Sequence, residues 1–233
     1  MALRYLALSL AVIAACAFGP ACARAASPAA DCKIEADYSV TSPDGQTVIE
    51  QFHKEDSDGE WHWQFWARRG DKQTLLNTDE DADYPAAFRF TNDSRWVART
   101  QKTGSGEASL YLYKLSGESF VSATKKPLGD LAWAYFRSRP ESRKAKKPDF
   151  HISAGLVKGT DENYRSLGVN WPENRYLVIG LWGEVEPNEH HHQLLSVRGW
   201  DVRYDLETGK FDVPPEFRED NAKALDPKGE RGS

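Results

Sequence analysis

YSVTSPDGQTVIEQF, Tyr38 to Phe52, decides how the chain is read. A short strand-like run enters Ser-Pro-Asp-Gly, and an alternating apolar run leaves it. Pro fixes φ, Gly accepts positive φ and Asp caps its own backbone, so these residues form a turn. Val, Ile, Thr, Tyr and Phe crowd the flanks, as strands prefer. The plan recurs in FRFTNDSRWVART, Phe88 to Thr100, and in LGVNWPENRYLVIG, Leu167 to Gly180.

A second hairpin follows each time: WHWQFWARRGDKQTLL from Trp61, LYLYKLSGESF from Leu110, and DVRYDLETGKF from Asp201. Each unit therefore reads as four antiparallel strands, a to d, in a meander. In Trp61 to Ala67, period two places Trp61, Trp63 and Phe65 on one face and His62, Gln64 and Trp66 on the other. Aromatics on both faces suit a strand covered on both sides. Trp63, Trp96 and Trp182 are expected to fill the core.

The turns SPDG at Ser42 to Gly45, LYLYKLSGE and YDLETGK resemble the blade turns of β-propeller repeat proteins of the TolB-like and WD-repeat kind. The resemblance implies propeller-like blades. Propellers usually have at least four blades, and three are found here. Three meanders can make an open curved sheet, a small assembly closed by oligomerisation, or a sandwich. The expected class is mainly β: three four-stranded antiparallel meanders, propeller-like or an open curved sheet, with one or two added helices.

The chain of 233 residues has 28% charged and 12% aromatic residues, a composition that folds. Its first 25 residues read as a signal peptide. Arg4 supplies the positive start, Tyr5 to Ala15 is an apolar run too short for a resident span, and Ala23-Arg24-Ala25 offers a cleavage site. Ile13-Ala14-Ala15-Cys16 competes as a lipobox, which would lipidate Cys16 and make an outer-membrane lipoprotein. Cleavage at Ala25 is favoured, because leucine is the commoner residue at the start of that box. Either route exports the protein, to the periplasm or beyond. After cleavage at Ala25 only Cys32 remains, so no internal disulfide is expected. The leader carries two arginines and no acid, so taking +2 from the net charge of −5 leaves −7. That balance argues against nucleic acid as a partner.

Residues 26–225 read as one β-repeat domain, and residues 226–233 as a disordered tail. Within the domain, 128–150 is an insertion. Leu128, Leu131, Ala132, Tyr135 and Phe136 stand at helical spacing in LGDLAWAYFRSR. The basic run RPESRKAKKPDF behind it reads as a solvated connector, or as a patch for an anionic partner. A last helix is expected over Pro215 to Leu225, since Pro favours a helix start.

Turn-to-turn spacing is 25 positions from Gly45 to Gly70, 23 from Ser94 to Gly117 and 35 from Asn174 to Gly209. The surplus of the third unit falls between strands b and c, at EVEPNEHHHQ, Glu184 to Gln193. In a meander the a–b and c–d turns share one edge, and the b–c and d–a connections share the other. NTDEDADY, the helical insertion and the histidine loop thus gather on the second edge, where function is expected.

The chemistry there is open. Imidazoles are good ligands for zinc, copper or nickel. In an extended segment His190 and His192 share a face while His191 turns away. Glu189 or Glu186 would add a third ligand, and His151 a fourth from the insertion. A solvated polar loop turning at Pro187-Asn188 is the favoured reading; a divalent metal bound there would be held weakly, in the micromolar range or worse, with His190 and His192 at its core. Asp79, Asp81 and Asp83 open like a calcium loop, but Tyr84 replaces its glycine and Phe90 its bidentate glutamate. There is no G-x-S-x-G elbow, no H-E-x-x-H and no Walker loop. The expected function is binding or scaffolding in the bacterial envelope, without catalysis or a cofactor. The partner would be an envelope protein or a glycan. The rival is an extracytoplasmic metal-dependent hydrolase with its site on the loop-rich edge.

Overall fold

The computed structural model describes residues 27–28, 30–77, 82–145, 148–157, 175–185 and 194–225. The leader, the tail and the connection 186–193 lie outside the described residues.

Three meanders are present. The first comprises β2 (Val40–Thr41), β3 (Thr47–Glu55), β4 (Trp61–Arg69) and β5 (Lys72–Leu75), preceded by β1 (Lys33–Ile34). The second comprises β6 (Ala86–Phe90), β7 (Trp96–Gly104), β8 (Glu107–Ser116) and β9 (Ser119–Ser122). The third comprises β10 (Phe150–Leu156), β11 (Tyr176–Val185), β12 (Leu194–Asp205) and β13 (Lys210–Asp212). Local chemistry sets the entry turns. In the first, Thr47 N–H donates to Ser42 Oγ at 2.9 Å and Gln46 N–H to Asp44 Oδ1 at 3.0 Å. In the second, Trp96 N–H donates to Thr91 Oγ1 and Arg95 N–H to Asp93 Oδ1, both at 3.1 Å. Gly45 and Ser94 take positive φ at the same place, and Asp44 N–H donates to Ser94 Oγ, so one turn is tied to the other.

The third unit departs from expectation at its first strand. Strand a is Phe150–Leu156, paired antiparallel with β11, and not the run beginning at Leu167. Residues 158–174 between them, including that turn, lie outside the described residues.

The units are not three separate blades. β1 to β5 form one sheet; β6 to β13 form a second of eight strands, and among the described residues no closed barrel is made. The joint is at β8. β9 is four residues long and covers only Tyr113 to Ser116 of that strand's edge. The remaining edge is open, and β10 adds to it in parallel at Ser153–Ala108.

Two large cores follow from the alternation, and a small third cluster packs Val178 of β11 against Phe217. Ile49, Phe65 and Ala67 of the first sheet pack with Phe88, Phe90, Val97 and Phe120 of the second unit. Ala98, Leu110 and Leu112, on the other face of the second unit, pack with Leu177, Ile179, Leu181, Val202 and α1 (Leu128–Ser138). α1 buries Leu128, Gly129, Ala132, Trp133 and Phe136, while Leu131 and Tyr135 are only half-buried. Its buried stripe is thus rotated toward Trp133 from the expected one. α1 ends before Pro140, and a 3-10 turn, Pro140–Lys144, precedes β10.

The C-terminal element is a 3-10 turn, Pro215–Phe217, running into α2 (Arg218–Ala224). It protects the part of β12 that short β13 leaves open. Asp201 N–H donates to Asn221 Oδ1 at 2.7 Å, and Asn221 Nδ2 donates back to Asp201 O at 2.8 Å. Asn77 does the same for β4, accepting from Phe65 N–H and donating to Trp63 O, both at 2.9 Å. Among the described residues no helix is long and apolar enough to cross a membrane.

Candidate functional site

The described part of the loop-rich edge carries histidines and acids. All three described histidines face a carboxylate there. His62 Nε2 is 3.0 Å from Asp56 Oδ2, His53 Nε2 is 3.6 Å from Glu35 Oε2, and His151 Nδ1 is 3.0 Å from Glu184 Oε2. The His62 hydrogen bond, with backbone donors from Glu60 and Asp58, holds the Asp56 carboxyl down to about 2. His53 lies between Trp61 and Trp63, 4.9 Å from each ring centre, and Tyr38 stands 6.0 Å from Trp63.

His151 reaches Glu184 through a β-bulge. The pairing of β10 with β11 slips between Phe150 and Ser153, and His151 takes φ 47°. Bulges re-aim side chains in this way. Its ring packs on Phe150 at 3.7 Å and against Gly106. Glu184 stands next to Val185, where β11 ends, so the pair sits at the mouth of the connection that carries the histidine run.

The metal candidates are only partly placed. His190, His192 and Glu189, with His191 and Glu186, lie outside the described residues, as do Asp79 and Asp81. Asp83 is exposed, beside the isolated bridge of Ala82 to Trp63. Among the described residues no three His, Cys, Asp or Glu side chains are grouped to hold a metal. His151 and Glu184 offer two ligands where a structural zinc needs four.

Trp182 is the feature sequence reasoning missed. It was expected in the core, with Trp63 and Trp96. Trp63 is buried and Trp96 half-buried, but Trp182 is 37% exposed. On regular β11, Leu181 and Gly183 point into the core, while Gly180, Trp182 and Glu184 face outward. The indole leans back over Gly180, where a Cβ would sit 2.4 Å from Cη2. Its Cζ3 lies toward Gly155 on β10 and its Nε1 toward Gly199 on β12. Gly199 is skipped in the pairing of β12, a bulge at φ 75°. Three glycines on three adjacent strands thus make a floor for one indole. Glycine inside a strand marks a bulge or a close approach, and that was the signal available in the sequence. The rim is polar: Ser153 and Arg198 are the cross-strand partners of Trp182, and Glu184 follows on its own face.

No family model matches the sequence, and no curated protein matches it. Two solved structures are similar over part of their length. TolB from Acinetobacter baumannii is 14% identical, with a TM-score of 0.30 over 76% of this chain. The AtxE2 isopeptidase, a variant with Astexin3-dC4 bound, is 11% identical, with a TM-score of 0.38 over 81% of this chain. The chain spans 31% of each.

Proposed function

We propose that this chain is an exported, non-enzymatic binding or scaffolding protein of the bacterial envelope, and that it binds with the loop-rich edge and the outward face of the third unit. The observation that carries the reading is Trp182. An indole held on a floor of glycine backbone, with its other side exposed, is poor use of a tryptophan for stability. It is good use for contact, since an aromatic ring offers a large rigid surface at little entropic cost.

The test is retention. Immobilised mature protein is incubated with a solubilised envelope fraction, beside Trp182→Ala. A component kept by the first and lost by the second supports the reading; equal retention removes it. Chelator-sensitive turnover of generic esterase, phosphatase or glycosidase substrates would overturn the non-enzymatic part. Export is tested by intact mass: a start near Ala26 is expected, and a diacyl mass on Cys16 would place the protein on a membrane.

A second reading, a metal-dependent extracytoplasmic hydrolase, is favoured by the His151–Glu184 contact beside the connection carrying His190 and His192. Zinc calorimetry decides it. Submicromolar binding abolished by His190→Ala and His192→Ala would support a real centre; binding in the micromolar range or weaker would not.

A further inference from the structure

We infer that the Trp182 indole is a stacking platform for one pyranose ring, so that the ligand class of this face is an oligosaccharide. The inference rests on the binding reading above and specifies its ligand. It starts from what surrounds the ring. A protein partner's hot-spot aromatic sits within an apolar patch that excludes water, with polar groups pushed to the rim. Among the described residues no exposed apolar patch surrounds Trp182. Among the described residues it is the only large hydrophobic side chain of the third unit that is exposed. Beneath it is glycine backbone, and directly beside it stand Ser153, Arg198 and Glu184.

One flat apolar plane edged at once by hydroxyl, guanidinium and carboxylate matches a sugar. A pyranose has a C–H face of about the area of an indole, and its hydroxyls project sideways from that face. The C–H face would lie on the π surface, whose negative charge favours C–H hydrogens. The equatorial hydroxyls would then point to the rim, where Arg198 donates and Glu184 accepts. The neighbouring His151 holds Glu184 through its 3.0 Å contact. Gly180 acts as a positioning residue. A Cβ there would displace Cη2 from 2.4 Å and lift the indole off its floor while leaving every rim group in place.

The experiment is calorimetry of the mature protein with three probes: N-acetylglucosamine tetramer, cellotetraose and maltotetraose, each to about 10 mM, the range for a single weak subsite. At least one should bind. Trp182→Ala should weaken it at least about tenfold, as loss of a hot-spot aromatic does. Trp182→Tyr, which keeps a ring, should retain most of the binding, and Gly180→Ala should weaken it with the tryptophan intact. Val121→Ala, exposed on the second unit, should change nothing. Unshifted thermal midpoints for Trp182→Ala and Trp182→Tyr exclude misfolding. Failure of all three sugars to bind, or equal binding by Trp182→Ala, overturns the inference. If an envelope component is still retained through Trp182 while no sugar binds, the ligand class falls and the binding reading stands. If neither occurs, both fall.

Discussion

Replacing Gln51 should separate a hydrogen-bond effect from a charge effect at one buried position. Gln51 is 1% exposed on the inward face of β3. Its Nε2 donates to Ala86 O at 2.8 Å and to Tyr38 O at 3.0 Å, and its Oε1 accepts from Ala86 N–H at 3.0 Å. One amide thus ties the first sheet to the start of β6 in the second. In Gln51→Leu both Ala86 groups lose their partner in a buried setting, at about 1–3 kcal/mol each. Tyr38 O is only part-buried and can turn to water. The expected loss is about 3 kcal/mol, or about 6–12 °C in the thermal midpoint of a chain this size. Gln51→Glu is nearly isosteric but brings a carboxylate against two carbonyl oxygens. Burial and those oxygens raise its folded pKa above the unfolded value of about 4.3. For an acid raised on folding, stability is fully present below the unfolded pKa and is lost as pH climbs through the folded one. Relative to wild type, Gln51→Glu should therefore be worst at pH 7 and recover toward pH 4, whereas Gln51→Leu should show a constant deficit. Urea unfolding at pH 4, 5.5 and 7 reads both. Parallel pH profiles for the two variants would refute the role assigned to the amide.

Gly129→Ala sets helix propensity, a gain of about 1 kcal/mol, against a Cβ placed 3.0 Å from Ala154 Cβ and 3.1 Å from Leu110 N. Backbone on one side prevents relief, so urea midpoints should show a net loss of about 1–2 kcal/mol. Phe136 is 1% exposed and meets Trp200 edge to face at 4.9 Å. Phe136→Ala should cost about 3–5 kcal/mol in the same assay, and Leu131→Ala on the half-buried side distinctly less. Asp56 has its pKa lowered from 3.8 to about 2 by His62 and two backbone donors. Because the shift is downward, its contribution is present above the unfolded value and is lost as pH falls through the folded one. The difference in stability between wild type and Asp56→Asn should therefore shrink between pH 4 and pH 2, and a difference unchanged over that window would contradict the pairing.

The strand plan was legible because its determinants are local. Ser42 and Asp44, like Thr91 and Asp93, bond to backbone within five positions, so the turn chemistry can be read from adjacent letters. Period two then sorted Phe65 from Trp66, and both are buried as expected. The edge assignment follows from the same logic, since a meander fixes which connections are neighbours. It put His151 and Glu184 on one side with the histidine connection.

What tertiary structure decided depends on groups far apart in the chain. Gln51 and Ala86 are 35 positions apart, and nothing near either residue marks the other as its partner. Asn77 and Asn221 look like ordinary polar residues until the strand edges they complete are known. The fusion of the second and third units turned on the shortness of β9, which left part of β8 open to β10. Trp182 shows the limit most directly. Hydrophobicity alone sends an indole to the core, and only strand pairing brings side by side the three glycines on which this indole rests, 37% exposed. Local turn propensity and side-chain alternation act within a few residues and are written in order along the chain. Edge completion and the exposure of a face depend on which strands become neighbours, and only the folded chain brings those together.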